Sequence, residues 1–193
     1  MEKAPGLGRQ YANSDHGLEM ANPPALTFEC LDEHHADGLY SGFVDEQVTQ
    51  FTAEKLPGSL EALRREFAEF HGGAPADSQQ IWMNWAIRAT PAQELVGTLQ
   101  ATVFADGAVW VGYKLIRSAW GKGIATAALK WLLGELAVHC PGKAVCAAAD
   151  TRNYASLRVL QKCGFTYVRT EAAEIRGVPT MDHIYQYLLP FRE

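Results

Sequence analysis

The sequence predicts a single mixed α/β domain built on a mostly antiparallel central sheet flanked by helices. Three observations carry that prediction. The chain has 193 residues, 48% of them hydrophobic, which is about one domain in length with ample apolar surface for one core. Its centre holds three consecutive β-like runs joined by short turns, the pattern of an antiparallel meander. After residue 120 the pattern changes to helix, strand, helix and two further strands, which makes the sheet a mixed one.

Residues 1–24, MEKAPGLGRQYANSDHGLEMANPP, are rich in Gly, Pro, Asn and Asp and lack sustained periodicity. They read as a flexible N-terminal arm, because such a segment buries too little to offset its ordering entropy. The folded domain is expected over 25–193. ALTFECL (25–31) is a β-like run, followed by a helical stretch over 33–44 and a loop carrying Asp45 and Glu46. SLEALRREFAEFHGG (59–73) is an amphipathic helix: Ser59 suits the N-cap, Leu60, Leu63, Phe67 and Phe70 recur at spacings of three and four, and Gly72-Gly73 stop it. The meander follows as IWMNWAIRA (81–89), ELVGTLQATVFA (94–105) and AVWVGYKLI (108–116), with TPAQ and ADG as turns.

In GKGIATAALKWLLGELAVH (121–139), Ala125, Ala128, Leu129, Leu132 and Leu136 share one helical face. KAVCAAAD (143–150) is a continuous apolar run and reads as a buried strand. NYASLRVLQKCGF (153–165) is a second helix ending at Gly164, and TYVRTEA (166–172) and MDHIYQYLLP (181–190) close the chain as strands.

Charge and composition narrow the function classes. A formal net charge of −5 and the absence of any Lys/Arg run argue against a nucleic-acid surface, which needs clustered cations. No stretch approaches the ~20 apolar residues that span a bilayer. The N-terminus lacks the apolar region of a secretion signal, so the cytoplasm is the expected compartment. Cys30, Cys140, Cys146 and Cys163 form no CxxC pair; reduced, buried thiols are expected, and no metal-ligand set is evident.

The stretch WGKGIATAALKWLL (120–133) brings a glycine turn directly to a helix start. A GxxxxGK[ST] phosphate loop is excluded, since Lys122 lies between the glycines. A GxGxxG dinucleotide turn does not fit either, because Thr126 takes the third glycine position and no acid follows near 141. The remaining phosphate site is one held by backbone N–H groups alone. The first amides of a helix have no internal partner and the dipole favours an anion there, while Gly121 and Gly123 admit close approach. A Gly-x-Gly before a helix also occurs as a plain turn, and Asn153 also reads as a plain N-cap of the second helix.

GYKLIRSAWGKGIATAAL (112–129) and DTRNYASLRVLQKCGF (150–165) together resemble the GCN5-related N-acetyltransferase (GNAT) superfamily. The NxxS variant and the terminal DHIYQYLL resemble its RimJ/RimL-type branch. The resemblance covers most of 25–190. It implies acetyl-CoA as cosubstrate and an amine as acceptor, either a protein N-terminus or a small molecule. Trp120, Gly121, Lys122, Gly123, Ile124, Ala125 and Thr126 then match the loop and helix start that hold the pyrophosphate, with Trp120 where Gln or Arg is usual. Leu115 and Ile116 match the strand end beside the pantetheine arm, and Asn153 matches an asparagine that contacts the cofactor. Ala147, Ala148 and Ala149 suit a strand beside a narrow cofactor slot as well as they suit simple packing.

The implied reaction is direct attack of an amine on a thioester. An oxyanion donor is expected in a backbone N–H near Ile116. The tyrosine that many members carry seven residues after the asparagine is replaced by Leu160, which leaves Ser156 as the candidate to hydrogen-bond the departing sulfur. The glutamate that often precedes the Gly-Tyr pair is replaced by Trp110, so no base is evident. That favours an α-amine or another amine of low pKa, about 7.7–8.0, over a lysine side chain near 10.4. Asp45 and Glu46 are read as able to attract a cationic amine, with the acceptor pocket expected under 32–71 and the 172–181 connection. The alternatives are a small-molecule acetyltransferase for an antibiotic or polyamine, and a catalytically weak CoA-binding sensor or partner module. Oligomeric state is not legible.

Overall fold

Side-chain alternation along the strands sets the layers of this protein. The structure, a computed structural model, describes residues 25–191; the segment read as a flexible arm lies outside the described residues. Strand β1 (Leu26–Cys30) leads into α1 (His35–Phe43) and α2 (Leu60–Gly72). The meander follows as β2 (Ile81–Ala89), β3 (Glu94–Val103) and β4 (Val109–Leu115). Then come α3 (Ile124–His139), β5 (Ala144–Asp150), α4 (Tyr154–Lys162), β6 (Thr166–Ile175) and β7 (Val178–Leu188). The sheet order is β1-β2-β3-β4-β5-β7-β6. Every pairing is antiparallel except β4 with β5.

Two apolar clusters pack on opposite faces. On one, Leu129, Leu132 and Leu136 of α3 and Leu157 and Leu160 of α4 cover Ile87, Leu99, Val109 and Val145. On the other, Leu39 and Phe43 of α1 and Leu63 and Phe67 of α2 cover Ala86. Neighbours Ala86 and Ile87 thus go to different cores, as alternation along a strand requires. Ser59 caps α2 by accepting the Ala62 N–H at 3.1 Å, as its position in the sequence predicts.

Two expectations need correcting. The 172–181 segment is no open connection: β6 and β7 run through it as a hairpin, closed by the two-residue turn Arg176-Gly177. Both turn residues have positive φ, 52° and 84°, the backbone that suits a tight hairpin. Pro179 masks the strand in the sequence. It is tolerated because β5 pairs with β7 only as far as Asp182, so no ladder bond is lost on that side. The cysteines also differ from expectation: all four are free, but Cys30 is exposed and only Cys163 is buried.

Candidate active site

Strands β4 and β5 pair only at Val109↔Val145 and Trp110↔Cys146. Beyond those pairs they diverge, and a cavity of about 530 Å³ opens in the gap, within the usual size of a small-molecule site. The backbone groups of β4 that face this gap follow from one bond. Ile116 N–H donates to Val96 O of the β3 segment at 3.0 Å. Backbone direction alternates along a strand, so the amides of Tyr113 and Leu115 are the ones turned toward β5. The donor expected near Ile116 is therefore already committed. The Ile116 side chain packs against Gly42 of α1, outside the cavity wall.

The start of α3 forms one end of the cavity. Gly121 and Gly123 have φ of 73° and 76°, and a Cβ at Gly121 would meet nothing within 4 Å. The first intrahelical bond is Ala127 N–H to Gly123 O at 3.0 Å, so the amides of Ile124, Ala125 and Thr126 have no partner within the helix. These three residues line the cavity with Trp120, Gly121, Gly123 and Leu115, whereas Lys122 is exposed outside the wall. Trp120 is 44% exposed, and its indole N–H donates to Leu115 O at 3.0 Å. That bond ties the glycine loop to the end of β4, which gives a structural reason for the unusual residue.

Opposite stand Ala147, Ala148 and Ala149 of β5 with Asn153 and Ser156 of α4. Asn153 is the N-cap of α4: its Oδ1 accepts the Ser156 N–H at 3.1 Å. Arg158 and Lys162, one turn apart on α4, line the same end. Leu160, at the position of the absent tyrosine, is 3% exposed and belongs to the core. Tyr113 lines the cavity from β4, and its phenol oxygen is buried without a hydrogen-bond partner among the described residues. Burial pushes its pKa up to about 12, against a smaller lowering by the neighbouring Ser156 hydroxyl. The two hydroxyls are close, yet no bond of acceptable geometry joins them.

The far end of the cavity lies on the α1/α2 side of the sheet. Thr98, Gln100, Gly112 and Lys114 share that face and line it, with Glu66, Phe67 and Phe70 from α2 and Phe51 and Glu54 from the loop before α2. Lys114 ion-pairs with Glu54 and lies 4.5 Å from the centre of the Phe43 ring. Glu66 is half-buried and makes no hydrogen bond or ion pair among the described residues. Burial raises its pKa; Lys114 lowers it, and Glu54 and Glu69 raise it further. Asp45 and Glu46, by contrast, are not in the wall. Asp45 accepts the Gln47 N–H and sits 3.8 Å from Arg117.

Sequence reasoning missed Glu54, Glu66 and Lys114. One signal was there: Glu66 is three residues after Leu63 and four before Phe70, on the edge of the apolar stripe of its helix. Among the described residues no helix is long and apolar enough to cross a membrane, and no group of His, Cys, Asp and Glu could hold a metal ion.

Residues 25–166 match the family model described as an acetyltransferase (GNAT) domain. A search of curated proteins finds no match. Solved structures with a similar fold include RimL, the ribosomal L7/L12 α-N-protein acetyltransferase, in complex with coenzyme A. It is 19% identical with a TM-score of 0.73, covering 87% of this chain and 97% of that one. An acetyltransferase of the GNAT family from Bacillus anthracis is 15% identical with a TM-score of 0.72, covering 86% and 96%. A spermidine N-acetyltransferase from Vibrio cholerae, in complex with CoA and spermine, is 14% identical with a TM-score of 0.71, covering 85% and 95%.

Proposed function

The chain belongs to the GNAT acetyltransferase family, and from that premise we propose that it moves the acetyl group of acetyl-CoA onto a primary amine carrying a single positive charge, a protein N-terminal α-amine above all. The enzyme class and the cosubstrate follow from the family: an acyl-CoA N-acyltransferase using acetyl-CoA. The acceptor is the step beyond it.

The observation that carries the acceptor reading is the charge layout of the cavity. One end presents the α3 amides, Arg158 and Lys162; the other presents Glu54, Lys114 and Glu66. The first suits a pyrophosphate. The second holds two carboxylates and one ammonium, and the ammonium is already paired with Glu54. One net negative charge matches one incoming cation. A polyamine would bring several. Similarity in fold to ribosomal-protein acetyltransferases supports placing the chain near the RimJ/RimL-type branch.

In this reading the amides of Gly121, Gly123, Ile124, Ala125 and Thr126 cradle the pyrophosphate, and Lys122 stays outside the cavity wall. Trp120 holds that loop to β4. The pantetheine arm runs along the gap beside Leu115, facing the small β5 alanines. Asn153 spends its Oδ1 on capping α4 and keeps its side-chain N–H groups for the cofactor. Ser156 hydrogen-bonds the departing sulfur; as a thiolate with a pKa near ~8.5, that sulfur needs little acid assistance. The oxyanion donor moves one residue back from Ile116, to the Leu115 amide that faces the gap, where a pre-aimed donor strengthens as charge develops.

The test is thiol release from acetyl-CoA with two sets of acceptors: short peptides with a free α-amine and no other cation, and spermidine. The peptides are expected to show at least about tenfold higher kcat/KM, the order of one charge mismatch in a partly desolvated site. Equal or better turnover of spermidine would overturn the acceptor assignment.

A further inference from the structure

The position on β4 where a base would be expected holds Trp110, yet the acceptor end does not lack a carboxylate. We propose that Glu66 of α2 is the general base of the acetyl transfer, taking the ammonium proton of the acceptor amine before nitrogen attacks the thioester. This rests on the acetyl-transfer reading above and names a residue for a step it left open.

Three observations converge on this residue. Glu66 lines the cavity on the acceptor side of the β4/β5 gap. It has no hydrogen-bond or ion-pair partner among the described residues, so its oxygens are free for a ligand. The cation that faces it, Lys114 of β4, is held by Glu54 of the loop before α2. The other charged groups acting on it are Glu54 itself and Glu69 of its own helix, both like-signed. A half-buried carboxylate beside two like charges and an occupied lysine has a raised proton affinity, which brings a carboxylate closer to the pH at which a base works well.

The proton balance is complete without another reagent. An ammonium becomes an amide by losing two protons. The first passes to Glu66 and from there to solvent. The C–N bond then forms, the tetrahedral adduct collapses, and the C–S bond breaks with its electron pair going to sulfur. The second proton leaves nitrogen and ends on that thiolate. A base of this kind also removes the reason to favour low-pKa amines on grounds of proton transfer, so the acceptor choice rests on the charge match alone.

The test uses the full chain, saturating acetyl-CoA and a short peptide whose α-amine is its one cation, with kcat/KM followed from pH 5.5 to 9. In the parent protein the profile stays flat from the α-amine pKa, about 7.7–8.0, down to the acid limb set by Glu66. In Glu66→Gln no carboxylate can deprotonate the ammonium, and kcat/KM falls about tenfold per pH unit below the amine pKa. The ratio of parent to variant therefore grows from pH 8 to pH 6. A ratio that is constant with pH, or full activity of the variant, overturns the assignment. Retained thermal stabilisation by acetyl-CoA shows that Glu66→Gln is folded. Glu54→Gln gives a second reading: removing the like charge and freeing Lys114 moves the acid limb to lower pH, and an unmoved limb counts against Glu66. If no amine at all drives thiol release from the parent protein, the failure belongs to the acetyl-transfer reading and not to the base.

Discussion

At Tyr113 a phenol hydroxyl is buried without a partner among the described residues, an arrangement that costs about 1–3 kcal/mol. Tyr113→Phe deletes that hydroxyl with little change in shape. It is expected to leave the protein as stable as the parent or up to about 1 kcal/mol more stable in thermal unfolding. A loss above ~1 kcal/mol would show that the hydroxyl has a partner after all. With its pKa near 12, the phenol stays neutral across the working range, so this difference should not vary with pH between 6 and 9. The single-residue readings differ in how they could be reached. Asn153 was legible as a cap from its place at a helix start, while its place beside a cofactor was implied by the family resemblance; in the structure it caps α4 and lines the cavity. Trp120 was not explained by the sequence, because its partner is a backbone carbonyl five residues earlier and no residue pattern encodes that bond.

The elements divide along similar lines. Strong periodicity made α2, α3 and the meander legible, because an apolar stripe or an alternation leaves its mark on every residue of the run. The start of α3 was read three residues early, at Gly121; both glycines lie outside the helix, with Gly123 as its left-handed N-cap. Gly123→Ala forces a side chain into that conformation at a cost of about 1 kcal/mol. It should lower the thermal midpoint and, by moving the α3 amides, weaken acetyl-CoA binding in a calorimetric titration. Unchanged affinity would separate that loop from the cofactor. The far ends of β6 and β7 were missed because Glu174 and Pro179 carry low β-propensity, and the turn that joins them is marked by a single Arg-Gly pair.

At the scale of the whole molecule, the sheet is two arms joined at a short parallel pairing. The end of the gap proposed to take the cofactor could be singled out in the sequence, because one loop and one helix start build most of it from adjacent residues. The acceptor end was not: Glu54, Glu66, Gln100 and Lys114 are far apart in the chain and meet only through helix packing and β3/β4 register. On the other arm, Asp150 is covered, and the Arg152 side chain that bonds it holds its carboxyl below the usual range. A depressed carboxylate contributes stability that is present above its unfolded value, near ~3.9, and lost as pH falls through the folded one. Arg152→Ala should therefore move acid unfolding to higher pH. Asp182, paired in register with Asp150, is raised chiefly by burial; its contribution has the opposite sign, present below its unfolded value and lost as pH rises through its folded value. An acid midpoint unmoved by Arg152→Ala would contradict the assignment of that bond. The central claim concerns the gap itself, and acetyl transfer tests it most directly. The full chain is incubated with acetyl-CoA and a short peptide bearing a free α-amine, and released thiol is compared with acetylated peptide. The account predicts the two in equal amounts, growing with time. Stabilisation by acetyl-CoA, about 2.7 kcal/mol at 100 times its Kd, with no thiol released over a panel of peptides and small amines, would contradict it and make the protein a CoA-binding module.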